Sequence, residues 1–316
     1  IYEYSLSING LLIFLISIET FKFFLFNFKL FGFLSLKSKL FFDIKEFYYI
    51  IPLSIASLVS TLNIYVDKFM VSSFLTPTDY AYYQLGAYTI PFIAIITGSV
   101  ISVLIPTFSE LYYKNRILEI NLLLKDSIVK TSKFLIPILV YCVFFGEYII
   151  TSFYSDTFHI SGKVFQLYCC IFFLSVVSFM AILNAVGKQN WVLFISIFNL
   201  IINLVLNIFL IPIYGIYGAV YSTIFTVYIG YLVPIILIKK FLNLSFFEYF
   251  PKRKYFKILV LSIIFALPFF LIFEYLIFNK FFVFIFSIPY YLLVLFIFDP
   301  MLFSKNNFVR IFNNED

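Results

Sequence analysis

The sequence predicts an all-α membrane protein, a bundle of about nine transmembrane helices. Hydrophobic residues make up 63% of its 316 residues and charged residues only 12%, whereas a soluble domain is nearer half apolar and a quarter charged. The apolar residues also form runs of about 20, long enough to cross a hydrocarbon layer of roughly 30 Å as a helix. A membrane barrel would instead need segments of about ten residues that alternate polar and apolar side chains, and none are present.

Charged residues, prolines, glycines and polar clusters mark the ends of these runs. We predict one membrane-spanning helix for each run. In chain order, the nine spans are 4–28, 47–75, 80–111, 127–152, 162–186, 190–212, 215–238, 255–278 and 280–303.

Two basic stretches interrupt the series, at 29–46 and 239–254. Lysines alternate there with Phe and Leu, the pattern of an amphipathic helix in the membrane interface; a long basic loop is the alternative for the first. These connectors divide the chain into units. The predicted units are the last helix of a first lobe at 1–28, a six-helix second lobe at 47–238, two additional helices at 255–303 and a tail at 304–316.

Lysines and arginines lie almost entirely on one side of the predicted membrane. Nineteen of the 22 follow odd-numbered spans, and only Lys68, Lys163 and Lys280 lie elsewhere. Because cytoplasmic loops carry this excess, we expect a cytoplasmic C-terminus and an extracytoplasmic start. The chain begins with Ile1 rather than Met, so we expect a fragment. If the complete chain starts in the cytoplasm, an odd number of spans precedes it, and five would make fourteen.

The composition argues against several function classes. Neither GxxxxGK[ST] nor GxGxxG, the phosphate-binding patterns, occurs, and the three cysteines and single histidine form no metal or redox motif. The net charge of +6 comes from membrane-flanking residues, which indicates contact with membrane lipids rather than nucleic acid. We therefore expect a transporter rather than an enzyme, without a cofactor, with an H+ or Na+ gradient as its available energy source.

Polar side chains inside the spans are the candidate site. Asp67 and Lys68 lie about 20 residues into the second span, where they can face a cavity and meet an ion or anionic substrate. The alternatives are structural pairing with neighbouring helices or, for Lys68, snorkelling to the outer interface. Asn199, Asn203 and Asn207 follow an i, i+4, i+8 spacing, which places them on one helix face. Interhelical hydrogen bonding and a polar cavity wall for sugar hydroxyls both fit this pattern.

Two lysines at the start of the fourth span are further candidates. Lys130 and Lys133 are three residues apart and lie at the predicted cytoplasmic mouth. There they can attract a diphosphate. The ordinary excess of basic residues beside cytoplasmic membrane ends explains them equally well.

Three stretches resemble the polysaccharide-biosynthesis membrane proteins of the multidrug/oligosaccharidyl-lipid/polysaccharide exporter superfamily. The hallmark stretch is LNAVGKQNW…NLIINLVLNIFLIPIYGIYGAVYST, from Leu183 to Thr223. IPLSIASLVSTLNIYVDKFMVSSFL begins at Ile51 and has Asp67 in the family's usual acidic position. AYYQLGAYTIPF, followed by VLIPTFSELY, resembles the next span. The similarity covers residues 1–250 and is weaker in the tail.

The resemblance implies a 14-helix transporter of the bacterial inner membrane, with two six-helix lobes around a cavity that opens alternately to each side. The oligosaccharide branch of this superfamily flips polyprenyl-diphosphate-linked sugars to the outer leaflet for O-antigen or capsule synthesis. A lipid-linked oligosaccharide is then the expected substrate, and a polysaccharide polymerase or glycosyltransferases are candidate partners. The alternatives are a cation-coupled multidrug or small-molecule exporter on the same scaffold, and a non-transporting scaffold for polysaccharide assembly.

Overall fold

The computed structural model describes residues 8–33, 44–177 and 179–275 and five positions between 289 and 297. These residues are all-helical, which confirms the predicted fold class. The chain divides into two compact units, Ile1–Phe47 and Tyr48–Asp316. The helices are α1 (Ile8–Phe33), α2 (Ile44–Phe74), α3 (Pro77–Gly86), α4 (Pro91–Tyr113), α5 (Ile117–Phe153), α6 (His159–Cys169), α7 (Phe179–Ala185), α8 (Gln189–Tyr214), α9 (Ile216–Leu242), α10 (Phe246–Tyr249) and α11 (Lys252–Tyr275), with 3-10 turns at Asp156–Phe158 and Cys170–Leu174.

Seven segments of the described chain are long and apolar enough to cross a membrane. They are α2, α4, α5, the α6–α7 segment, α8, α9 and α11. Helices α2, α8 and α9 agree closely with the predicted spans 47–75, 190–212 and 215–238. Most of the first connector at 29–46 and of the span at 280–303 lies outside the described residues.

One predicted boundary is wrong by about ten residues, and two others differ by three or four. Helix α5 begins at Ile117 instead of 127, because Ile120, Leu124 and Ile128 continue its buried face for two more turns. The second connector, 239–254, is largely helical in the structure. Helix α9 runs to Leu242, α10 forms a single turn, and α11 begins at Lys252.

The predicted third span, 80–111, is two helices rather than one. Helix α3 ends at Gly86, and α4 begins at Pro91. Proline disfavours the helical conformation in the residue before it, and Ile90 is accordingly extended, with φ −64° and ψ 117°. The break frees α3 to approach α6, to which it packs through Gly86 and Val164.

The predicted fifth span, 162–186, is interrupted at its centre. Helix α6 ends at Cys169, and the chain continues as a 3-10 turn before α7. Backbone groups released in this way need new partners inside a membrane. Two tyrosines supply them, because Tyr228 of α9 donates a hydrogen bond to the carbonyl of Cys170 and Tyr255 of α11 donates one to that of Phe173, each at 2.9 Å.

Removing the Tyr255 hydroxyl should therefore lower stability. We expect Tyr255→Phe to cost about 1–3 kcal/mol, since it leaves a carbonyl of the 3-10 turn without its donor. The control is Tyr249→Phe: Tyr249 is fully buried, but its hydroxyl has no hydrogen-bond partner among the described residues. Thermal unfolding in detergent should show a lower Tm for Tyr255→Phe only. Equal Tm values for the two variants would contradict the assignment.

Candidate functional site

Helices α2 and α8 each carry a line of polar side chains along one face. They run parallel here, because Ser60 meets Ser196 with 3.2 Å between their hydroxyl oxygens, and Asp67 meets Asn207 farther along both helices. Residues three, four and seven apart share a helix face. The two facing lines, which we call the polar seam, are Ser60, Asn63 and Asp67 on α2, and Ser196, Asn199, Asn203 and Asn207 on α8.

A buried carboxylate closes one end of this polar seam. The side chain of Asp67 is only 4% exposed. The amide nitrogen Nδ2 of Asn207 donates to Asp67 Oδ1 at 2.7 Å and also to Asn203 Oδ1 at 3.0 Å. The hydroxyl of Thr223 donates to the other carboxylate oxygen, Oδ2. Asp67, two of the three predicted asparagines and one residue that sequence analysis missed thus form a single cluster.

The cluster draws on four helices. Besides Asp67 of α2 and the asparagines of α8, Tyr83 of α3 lies beside the carboxylate, and Thr223 belongs to α9. The Thr223 hydroxyl also lies 3.0 Å from the carbonyl oxygen of Ala219. A hydroxyl has one proton to donate, so only one of these acceptors can receive it at a time, and the other then has a free lone pair.

The negative charge of Asp67 has no basic partner within ion-pair distance in the part of the chain that the structure describes. Lys68, the next residue, points into a separate pocket of about 210 Å³. Its Nζ lies 5.7 Å from the ring centroid of Tyr65. An unpaired charge buried in a membrane is costly, so a proton or a bound cation would stabilise this carboxylate beyond what its hydrogen bonds from Asn207 and Thr223 provide.

The cluster has the ligands that a small hard cation prefers. Oxygen atoms of Asp67, Asn203, Thr223 and the Ala219 carbonyl lie in one hydrogen-bonded group, to which Asn207 contributes its amide nitrogen as a donor. The Asn207 Oδ1 atom is buried and has no hydrogen-bond partner among the described residues. Oxygen ligands suit alkali and alkaline-earth ions. With one formal negative charge, the set is neutralised by a monovalent cation, whereas a divalent one would leave an excess of positive charge.

A polar pocket of about 450 Å³ lies along the other part of the seam. Its polar lining comes from hydroxyls and amides, and its remaining lining is apolar. The lining residues are Leu53, Ala56, Ser57, Ser60, Asn63, Met180, Val192, Ser196 and Asn199. Asn63 and Asn199 each present a buried amide oxygen without a partner in the described residues. The pocket can therefore bind neutral donors such as hydroxyl or amide groups.

Asn199 does not join the carboxylate cluster although it shares a face with Asn203 and Asn207. It lies instead against Gly230 of α9, where an added β-carbon would overlap its amide group. Lys130 and Lys133 lie away from both polar sites. Lys130 is exposed and pairs with Asp126 at 2.8 Å, and Lys133 lines a pocket between α5 and α11.

Sequence analysis missed Ser60, Asn63, Ser196, Tyr83 and Thr223. Three of these residues could have been identified from helical spacing. Asn63 and Ser60 lie four and seven residues before Asp67, and Ser196 lies three residues before Asn199. Tyr83 and Thr223 enter the site only through the packing of α3 and α9. The chain offered no local signal for that packing.

Comparisons with known proteins agree on the fold. The family described as lipid II flippase MurJ matches residues 3–293. A solved structure of lipid II flippase MurJ in an inward closed conformation matches with a TM-score of 0.63 and 24% sequence identity, over 86% of this chain and 58% of that one. This chain thus spans less than two thirds of that protein's length. The comparison with curated proteins finds no match.

These matches support the expected superfamily but name another branch, one designated for lipid II rather than for polysaccharide. The family is one of membrane transporters, in agreement with the expectation that the chain is not an enzyme. Because the family match extends over most of the sequence, the chain belongs to the lipid II flippase MurJ family.

Proposed function

We propose that the complete transporter moves lipid II, a lipid-linked peptidoglycan precursor, from the cytoplasmic to the outer leaflet by alternating access. The family match over residues 3–293 is the observation that carries this proposal. A diphosphate and sugars cannot cross hydrocarbon unaided. A polar cavity between two lobes lowers that barrier while the polyprenyl tail stays in lipid, and rocking of one lobe on the other exposes the cavity to each side in turn.

The polar pocket along the seam, with a volume of about 450 Å³, suits part of the head group of such a substrate. Its hydroxyls and the side chains of Asn63 and Asn199 can hydrogen-bond with sugar hydroxyls or peptide amides. None of its described lining residues is charged, so the diphosphate must find its counter-charges elsewhere. Lys68 is the basic residue next to the seam and is our candidate for that role within the second unit.

The carboxylate cluster is the proposed coupling site. Asp67, with Asn203, Asn207 and Thr223 around it, would bind Na+ or a proton, because the buried charge has no basic partner among the described residues. Asn203 and Thr223 offer oxygens, and Asn207 would have to turn its amide to offer one as well. Ion binding and lobe movement are linked if the ion favours one conformation over the other. Helices α2, α8 and α9 all contribute to the cluster, so the ion can stabilise their mutual arrangement.

The substrate expected from sequence alone, an O-antigen or capsule oligosaccharide on the same kind of carrier, is the second candidate. The hallmark stretch from Leu183 to Thr223 favours it, and the polar pocket along the seam can contact sugar hydroxyls of either head group. We expect partners among the glycosyltransferases and polymerases that make and use the lipid-linked sugar.

The test is a flipping assay with the complete transporter in vesicles. Labelled lipid II, a labelled polyprenyl-diphosphate oligosaccharide and a cationic dye are compared, each with and without a Na+ or H+ gradient. We expect only lipid II to become accessible on the far side at a rate above that of empty vesicles. Movement of the oligosaccharide alone would favour the second candidate, movement of the dye alone a drug exporter, and no movement of any probe a scaffold.

A further inference from the structure

A basic pocket lies between α5 and α11, away from the polar seam. Its volume is about 280 Å³. Three lysines line it, Lys133 of α5 and Lys254 and Lys257 of α11, and none of the described lining residues carries a carboxylate. The rest of the lining is apolar and consists of Val129, Ile258, Leu261 and Ile297. Three positive charges above an apolar floor form an amphipathic pocket.

The depth of this pocket in the membrane follows from helix geometry. Lys133 lies 20 residues before Phe153, the end of α5, and at 1.5 Å per residue this is about 30 Å, the thickness of the hydrocarbon layer. Lys254 and Lys257 lie in the first two turns of α11, whereas Ile258 and Leu261 lie farther along that helix, toward the hydrocarbon. The lysines are therefore at head-group level and the apolar residues at acyl-chain level.

The charge pattern identifies the side of the membrane. This end of α5 and α11 belongs to the basic side of the chain, which we expect to face the cytoplasm. The cytoplasmic leaflet carries anionic lipids, and basic pockets between membrane helices on that side bind their head groups. Lys254 and Lys257 form no ion pair with any residue in the described part of the chain, so their charges are available to a ligand.

We propose that this pocket binds one anionic phospholipid of the cytoplasmic leaflet. The head-group phosphate lies beside Lys254 and Lys257, and the first part of an acyl chain lies against Ile258 and Leu261. A bound lipid would join α11 to α5, the helix that forms much of the protein core. This inference does not depend on the transported substrate, because the pocket shares no lining residue with the polar seam.

Native mass spectrometry of the complete transporter with added phosphatidylglycerol tests the proposal. We expect one tightly retained lipid and a loss of affinity of about 30-fold in Lys254→Gln/Lys257→Gln, since each lysine near a lipid surface contributes about fivefold. The matched control is Lys239→Gln/Lys240→Gln, which removes two exposed lysines at the end of α9 outside the pocket.

Two competitors identify the source of the phosphate. Soluble glycerol phosphate should fail to displace the lipid, because it cannot occupy the apolar floor, and a polyprenyl diphosphate should displace it no better than phosphatidylglycerol itself. Retention of full affinity in the double variant, or an equal loss in the control, would overturn the proposal. Efficient displacement by glycerol phosphate would assign a free-phosphate site instead, and preferential displacement by the polyprenyl lipid would assign the pocket to the transported substrate.

Discussion

Asp67→Asn should abolish cation binding and reduce transport by the complete protein about 100-fold. The substitution keeps the size of the side chain and an oxygen that can accept from Asn207 or Thr223, but it removes the charge that a cation neutralises. A coupling free energy of 1–3 kcal/mol, typical of linked sites, corresponds to changes of up to about 150-fold. The flipping assay described above measures the rate.

Binding can be measured separately from transport. A cation at 100 times its Kd stabilises a protein by about 2.7 kcal/mol, which raises the Tm of a protein of this size by about 4 °C. We expect Na+ to raise the Tm and a large organic cation to leave it unchanged. In Asp67→Asn, Na+ should no longer raise the Tm. If the ligand is a proton, the Na+ effect is absent and Tm depends on pH instead, again only when Asp67 is present.

An exposed carboxylate provides the control for this experiment. Asp126 lies at the other end of the predicted membrane, where it pairs with Lys130 at 2.8 Å. Asp126→Asn removes the same charge and should keep both the ion-dependent Tm and the transport rate. If Asp67→Asn keeps its ion-dependent Tm as well, the carboxylate cluster is not the coupling site.

Gly218→Ala should destabilise the protein by about 3 kcal/mol. Gly218 lies at the start of α9, directly after the α8–α9 turn, and a β-carbon there would overlap the backbone carbonyl of Leu210. A backbone atom cannot move aside as a flexible side chain can, so the two helices must separate. Thr223 lies only five residues farther along α9, and we expect the shift to weaken its hydrogen bond to Asp67.

Gly98→Ala is the matched substitution. Gly98 lies inside α4, and a β-carbon there would have no heavy atom within 4 Å. Since Ala favours a helix over Gly by up to about 1 kcal/mol, Gly98→Ala should leave the Tm unchanged or raise it slightly. Chemical or thermal unfolding of both variants measures the difference. Similar Tm values would mean that the close approach of α8 and α9 at Gly218 contributes little to stability.

The features that could be predicted are those that depend on the local order of apolar and polar residues. Apolar run length located α2, α8 and α9, and the spacing of Asn203 and Asn207 placed both on the face that meets Asp67. The break before Pro91 had a local signal too, but the apolar run continues through it, and run length was given more weight than the proline. The break after Cys169 had none, because no glycine or proline lies between Cys169 and Phe179. Its cause is tertiary, in the tyrosines of α9 and α11.

Helix α2 buries little of its apolar surface against the other helices. Only 11% of its most apolar window is buried, against 50% for α5, and its described contacts with α8 include the two polar ones at Ser60 and Asp67. Within lipid, apolar surfaces gain little by associating, and packing and polar contacts decide which helices stay together. Two of the polar contacts that join α2 to α8 and α9 are made by the carboxylate of Asp67. If an ion binds there as we propose, its arrival or loss would change how strongly these three helices are held together.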